Sequence, residues 1–72
     1  MNEELKLIIG KFLKISHDQI SDNTIIDTTV LKGSILFHRM ISRINDLYGI
    51  EIKDYSVIKT YKDLIDEIDK LK

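Results

Sequence analysis

The run Val30-Leu31-Lys32-Gly33-Ser34-Ile35-Leu36 marks the change from an irregular stretch to a regular one, and the elements on either side are ordered around it. From Ile35 onward apolar residues recur at Ile35, Phe37, Met40, Ile41, Ile44, Leu47 and Tyr48, mostly with a 3.6-residue period, and Gly49 is a natural stop. A helix over 34–48 is therefore predicted. Upstream, Leu5, Ile8, Ile9, Phe12 and Leu13 have the i, i+3, i+4, i+7, i+8 spacing of one helical face, which predicts a helix over 3–15. Gly10 interrupts that face at a cost of about 1 kcal/mol relative to alanine.

Between these helices, 16–33 reads as a long connection rich in Ser, Asp and Asn, whose short polar side chains compete with helical hydrogen bonds. Ile20, Ile25, Ile26, Val30 and Leu31 argue that it is pinned onto the core. Beyond Gly49, Ile50 and Ile52 alternate with Glu51 and Lys53. Without a sheet partner this segment is expected to be an extended linker whose isoleucines plug a bundle. Residues 54–58 allow a short helix, with Asp54 as its cap and Val57 and Ile58 facing inward. Thr60 and Asp63 have capping-box spacing ahead of Tyr61, Leu64, Ile65, Ile68 and Leu71, so a last helix is expected over 61–71. The predicted fold is all-α: a single domain over 1–72, with three main helices and one short one.

Composition narrows the function. The 72 residues include no cysteine, which excludes disulfides and thiolate zinc sites, and the two histidines, His17 and His38, are too far apart to suggest a metal. A chain this short buries only about 60% of the surface it exposes when unfolded, too little for an elaborate catalytic cleft. With 11 basic and 12 acidic residues the net charge is -1, so the molecular field does not favour nucleic acid. Asp63, Asp66, Glu67 and Asp69 on the final helix oppose a DNA-binding role further. No apolar run is long enough for a membrane span and no apolar signal stretch follows Met1, so a cytoplasmic location is expected. A hydrolase built on Ser34 would need an oriented base and oxyanion donors, for which the sequence gives no arrangement.

Ser34 itself admits two readings. As the first residue of a helix it can be a plain N-cap. That is what most serines at helix starts are; the other reading is an attachment point, because free N–H groups and the helix dipole favour a negative group there. Lys32 would then stand two residues before an attached phosphodiester, and Gly33 would let a modifying enzyme approach the backbone closely.

The order of elements resembles the acyl carrier protein family over essentially the whole chain. Asp27-Thr28-Thr29-Val30 resembles the acidic-Thr segment ahead of that family's modified serine. Tyr48-Gly49-Ile50-Glu51-Ile52 resembles its aromatic-Gly-x-x-Ile segment, and Thr60-Tyr61-Lys62-Asp63-Leu64 resembles the start of its last helix. The resemblance implies 4'-phosphopantetheine on Ser34, with an acyl or aminoacyl cargo held as a thioester for fatty acid, polyketide or nonribosomal peptide synthesis. It implies no enzymatic activity of the domain's own. The partners implied are a phosphopantetheinyl transferase and the enzymes that load and transfer the cargo, and a monomer is expected. An interior lined by Phe12, Met40, Ile41, Ile44, Ile58 and Ile65 could shelter an acyl chain, with Met40 the adaptable member.

Two features depart from the family pattern. Gly33 replaces the aspartate directly before the serine, which is the best support for an alternative: a carrier-like protein-interaction domain without the modification. The second helix carries His38, Arg39 and Arg43 where the family is acidic, so a partner surface richer in carboxylates is expected. Ile35, Leu36 and Phe37 cannot all face inward, and Leu36 is expected to be exposed beside Ser34 as a further partner contact. Tyr48, Tyr55 and Tyr61 are expected to pack with their hydroxyls reaching water. His17 is expected to be a polar loop residue.

Overall fold

The computed structural model describes residues 2–31 and 33–72. The chain is mostly helical: α1 is Asn2–Leu13, α2 is Ser34–Tyr48 and α3 is Tyr61–Leu71. Single 3-10 turns stand at His17–Gln19 and Tyr55–Val57, and there is no strand among the described residues.

Helix α1 has Glu3 and Glu4 in its first turn and Lys11 in its last, the charge order its dipole favours. It buries Leu5 and Ile9, while Ile8, Phe12 and Leu13 pack half-buried at the edge of the core. It ends at Leu13, short of the expected Ile15, because Lys14 turns left-handed at φ 60° and the Ile15 N–H bonds back to the Gly10 carbonyl at 3.0 Å. Gly10 is not simply a weak point. A Cβ there would lie 2.8 Å from the Ile15 carbonyl oxygen, so the bare residue lets the chain fold back against the helix. Beyond this turn, His17 Nε2 faces Asp18 at 3.1 Å and Glu3 at 3.8 Å.

The long connection is held by backbone bonds to the start of α3. Ile26 N–H donates to the Lys59 carbonyl, Tyr61 N–H to that of Thr24 and Lys62 N–H to that of Asp22, at 2.9, 2.9 and 3.1 Å. Ile25 and Thr60 form an isolated antiparallel bridge. Ile20, Ile26 and Leu31 enter the core, whereas Ile25 and Val30, both expected inside, are 43% and 47% exposed. Extended neighbours point to opposite faces, so burying Ile26 turns Ile25 outward. At the other site Val30 and Leu31 both donate to the Asp27 carbonyl in one turn, and Leu31 takes the inward position.

Helix α2 buries Phe37, Met40, Ile41 and Ile44 and stops at Gly49, left-handed at φ 65°. At 100° per residue, Ile35 lies roughly opposite that stripe and Leu36 about a quarter-turn from it. Ile35 is accordingly 72% exposed, while Leu36 packs half-buried against the core. The exposed member of the triplet is Ile35, contrary to the expectation for Leu36.

The linker after Gly49 is extended and fastened by Asn45. The Asn45 carbonyl accepts from Ile50 N–H and its Oδ1 from Ile52 N–H, both at 3.1 Å, which seats Ile52 in the core. In the following turn Asp54 Oδ1 accepts from Ser56 N–H at 3.1 Å and from the Ser56 hydroxyl at 2.6 Å. Only Ile58 enters the core; Val57, expected inside, is 47% exposed because successive residues of a 3-10 turn diverge by about 120°. Helix α3 starts in a full capping box: Thr60 Oγ1 accepts from Asp63 N–H, and Asp63 Oδ2 accepts from the N–H groups of Thr60 and Lys59. Tyr61, Leu64 and Ile68 close the core from this side, while Leu71 is exposed at the helix end.

Candidate functional site at the head of the second helix

Ser34 is the first residue of α2 and is exposed. It is not the helix cap. That position belongs to Gly33, which has no side chain to offer, so the first amides of α2 lack a side-chain cap. Among the described residues the hydroxyl has no hydrogen-bond partner, and it stands at the positive end of a 15-residue helix. Lys32, expected beside an attached phosphate, lies outside the described residues.

Gly33 adopts φ 106° and ψ 165°, a region almost confined to glycine. An added Cβ would meet nothing within 4 Å. Glycine is thus required by the backbone rather than by crowding, and an aspartate at this position would strain the chain.

Ser34 and His38 are one turn apart on the same flank of α2. The His38 ring packs on Tyr55, with centroids 4.7 Å apart, and Tyr55 meets Phe37 edge-on at 5.9 Å. These three rings form part of the wall of an open groove of about 300 Å³, completed by Asp27, Thr28, Ser56, Ile58 and Lys59. Asp27 accepts from both the amide and the hydroxyl of Thr29. The Thr29 hydroxyl and then its amide hold the Asp27 carboxyl below the usual range, with a smaller contribution from Lys59. None of the ion pairs among the described residues includes His38, so its tie is to an aromatic ring rather than to a carboxylate.

The residues expected to meet a partner do not share one face. His38 lies on the Ser34 flank, whereas Leu36 and Arg43 lie on the flank toward α1, with Arg39 between that flank and solvent. Leu36 lines a hollow with Phe12 and Leu13, and Arg43 lines another with Ile8 and Lys11. Met40, Ile41, Ile44 and Ile58, expected to line an acyl-chain interior, are at most 1% exposed, and Phe12 and Ile65 are half-buried around them. Tyr61, expected to reach water, is 2% exposed, and its hydroxyl lacks a partner among the described residues.

Reading the sequence did not single out Asn45 or the stacking role of Tyr55. An asparagine in the last turn before a left-handed glycine was a usable signal for the first. For Tyr55 there was none, since the contact joins separate elements. Among the described residues no cluster of His, Asp and Glu is placed to hold a metal ion, and no helix is long and apolar enough to cross a membrane. Neither a protein-family model nor a curated protein matches the chain.

Proposed function

We propose that the domain carries an acyl or aminoacyl group as a thioester on 4'-phosphopantetheine attached to Ser34. The observation behind this reading is an exposed serine hydroxyl at the first position of α2, released from capping by Gly33. These residues fit the group: the hydroxyl is open to a modifying enzyme, and the uncapped amides of the first turn supply donors for a phosphodiester at the helix's positive end. When bound, the group supplies a flexible arm ending in a thiol.

This chain contributes the attachment oxygen, the orientation of the anchor and the surface that partners meet. Ser34 Oγ attacks the phosphorus that bears the pantetheine arm of coenzyme A, the pyrophosphate linkage breaks, and adenosine 3',5'-bisphosphate leaves. A base of the phosphopantetheinyl transferase takes the hydroxyl proton, and the metal ion that assists the displacement also belongs to that enzyme. The tether raises the local concentration of its cargo at each enzyme that loads or removes it. The domain does no bond chemistry of its own in this scheme, and His38, packed on Tyr55, is not needed as a base. We place the domain in the cytoplasm, as a monomer in an acyl-chain, polyketide or nonribosomal peptide assembly route. A net charge of -1 gives the molecule as a whole no field that draws nucleic acid.

A second reading is favoured by Gly33. Its backbone conformation disfavours the aspartate that precedes the serine in carriers, and an unmodified protein-interaction domain has no need of that residue. Incubation with coenzyme A and a broad-specificity transferase separates the two. A mass gain of one phosphopantetheinyl group, absent from Ser34→Ala, supports the carrier; no gain with any transferase supports the unmodified domain.

A further inference from the structure

The flank of α2 away from Ser34 forms a seam with α1. Ile8, Lys11, Phe12 and Arg43 line a hollow of about 260 Å³ there. Phe12 also belongs to a second hollow, of about 210 Å³, with Lys14 and Leu36. The two hollows share Phe12 as a common wall. Leu36, Arg39 and Arg43 fall at i, i+3 and i+7, a stripe about 10 Å long on α2. The seam thus has a half-buried apolar floor of Ile8, Phe12 and Leu36.

Its cations stand outside the ion pairs formed among the described residues. Lys53, Lys62 and Lys70 each face a carboxylate, and Lys6 lies over the Tyr61 ring. Lys11, Lys14, Arg39 and Arg43 are in no ion pair among the described residues. On a chain of net charge -1 this is a local concentration of unanswered positive charge beside apolar surface.

We propose that the seam between α1 and α2 docks an acidic amphipathic helix of a partner protein. Apolar side chains of that helix pack on Phe12, Ile8 and Leu36, and carboxylates along its edges reach Lys11, Lys14, Arg39 and Arg43. The charges steer the encounter and fix its orientation, and the apolar floor supplies contact area. A second copy of this chain is a poor occupant: its acidic helix, α3, already buries its apolar face of Tyr61, Leu64 and Ile68 in its own core. Nucleic acid answers the charge but offers phosphates, not apolar side chains, to the floor. The proposal stands whether or not Ser34 is modified, because the seam lies on the other flank.

The test is a titration of the full, isotope-labelled chain with a synthetic helical peptide carrying leucines at i, i+3, i+4 and i+7 and glutamates on both edges. A version with lysine for each glutamate and phosphatidylcholine vesicles containing phosphatidylglycerol serve as comparisons. Amide shifts are expected at Ile8, Lys11, Phe12, Leu36, Arg39 and Arg43, and binding should weaken as salt is raised. The double variant Lys11→Glu/Arg43→Glu, checked for folding by circular dichroism, should bind about tenfold more weakly. Equal binding of the lysine peptide, shifts elsewhere, binding to vesicles alone, self-association without peptide, or undiminished binding by the folded variant each overturns the proposal. Should the variant not fold, the salt dependence and the lysine-peptide comparison on the unaltered chain decide.

Discussion

Gly33 holds φ 106°, a conformation that residues with a side chain rarely adopt, and it occupies the cap position so that Ser34 is the first residue of the helix. Replacing Gly33 with alanine or aspartate should destabilise the fold by about 1–3 kcal/mol, measured by urea unfolding. Since a Cβ would meet no atom within 4 Å, the two substitutions should cost similar amounts. An unchanged midpoint would show that the bend before α2 tolerates ordinary residues. Tyr61 presents the opposite situation, with its ring buried and its hydroxyl buried without a partner among the described residues. Burial also pushes its phenol pKa up, with smaller contributions from Tyr48 and Asp22. Tyr61→Phe should therefore raise stability by about 1 kcal/mol, read as a higher urea midpoint with unchanged slope.

Among the elements, α3 owes its start to Thr60 and Asp63. The amides of Thr60 and then Lys59 hold the Asp63 carboxyl below its ordinary 3.8. A carboxylate whose pKa is lowered by folding adds stability that is fully present above that ordinary value and is lost as the pH falls through its lowered one. Asp54 and Asp27 are lowered in the same sense, by Ser56 and Thr29 hydroxyls first. Stability should thus begin to fall as the pH drops past about 4, and Asp63→Asn should make that acid limb shallower in unfolding curves taken across it. The same cap was readable in the sequence, since Thr and Asp three apart before an apolar face have one common use. The Asn45 fastening was harder to read, because a side chain that ties a helix to the linker beyond it leaves no periodic trace.

For the whole molecule, the decisive junction is between the 22–26 segment and the start of α3. The amides of Ile26, Tyr61 and Lys62 all donate across it. Hydrogen exchange should find these three protected well above the other connecting amides, with Ile26 and Tyr61 the slowest because their own side chains are buried. Exchange at loop rates would mean that the junction opens freely and that the approach to Ser34 is not held from this side. Around that junction the molecule presents two separate flanks of α2, one with Ser34 and His38, the other with Leu36 and Arg43. The residues marked in the sequence as one partner surface are thereby divided.

The sequence alone determined the bounds of α2 and α3, the glycine stop of α2 and the capping box of α3, because helical period, left-handed glycine and capping boxes are local physics written within a few residues. It also marked Ser34 as the head of α2. Tertiary structure decided which of Ile35 and Leu36 is exposed, why Gly10 must lack a side chain, how the long connection is pinned, and that His38 meets Tyr55. The Gly10 contact depends on how the chain folds back at Lys14 and Ile15, and the others on an approach between segments distant in the chain or on the direction of the core; none of these is encoded by spacing along one segment.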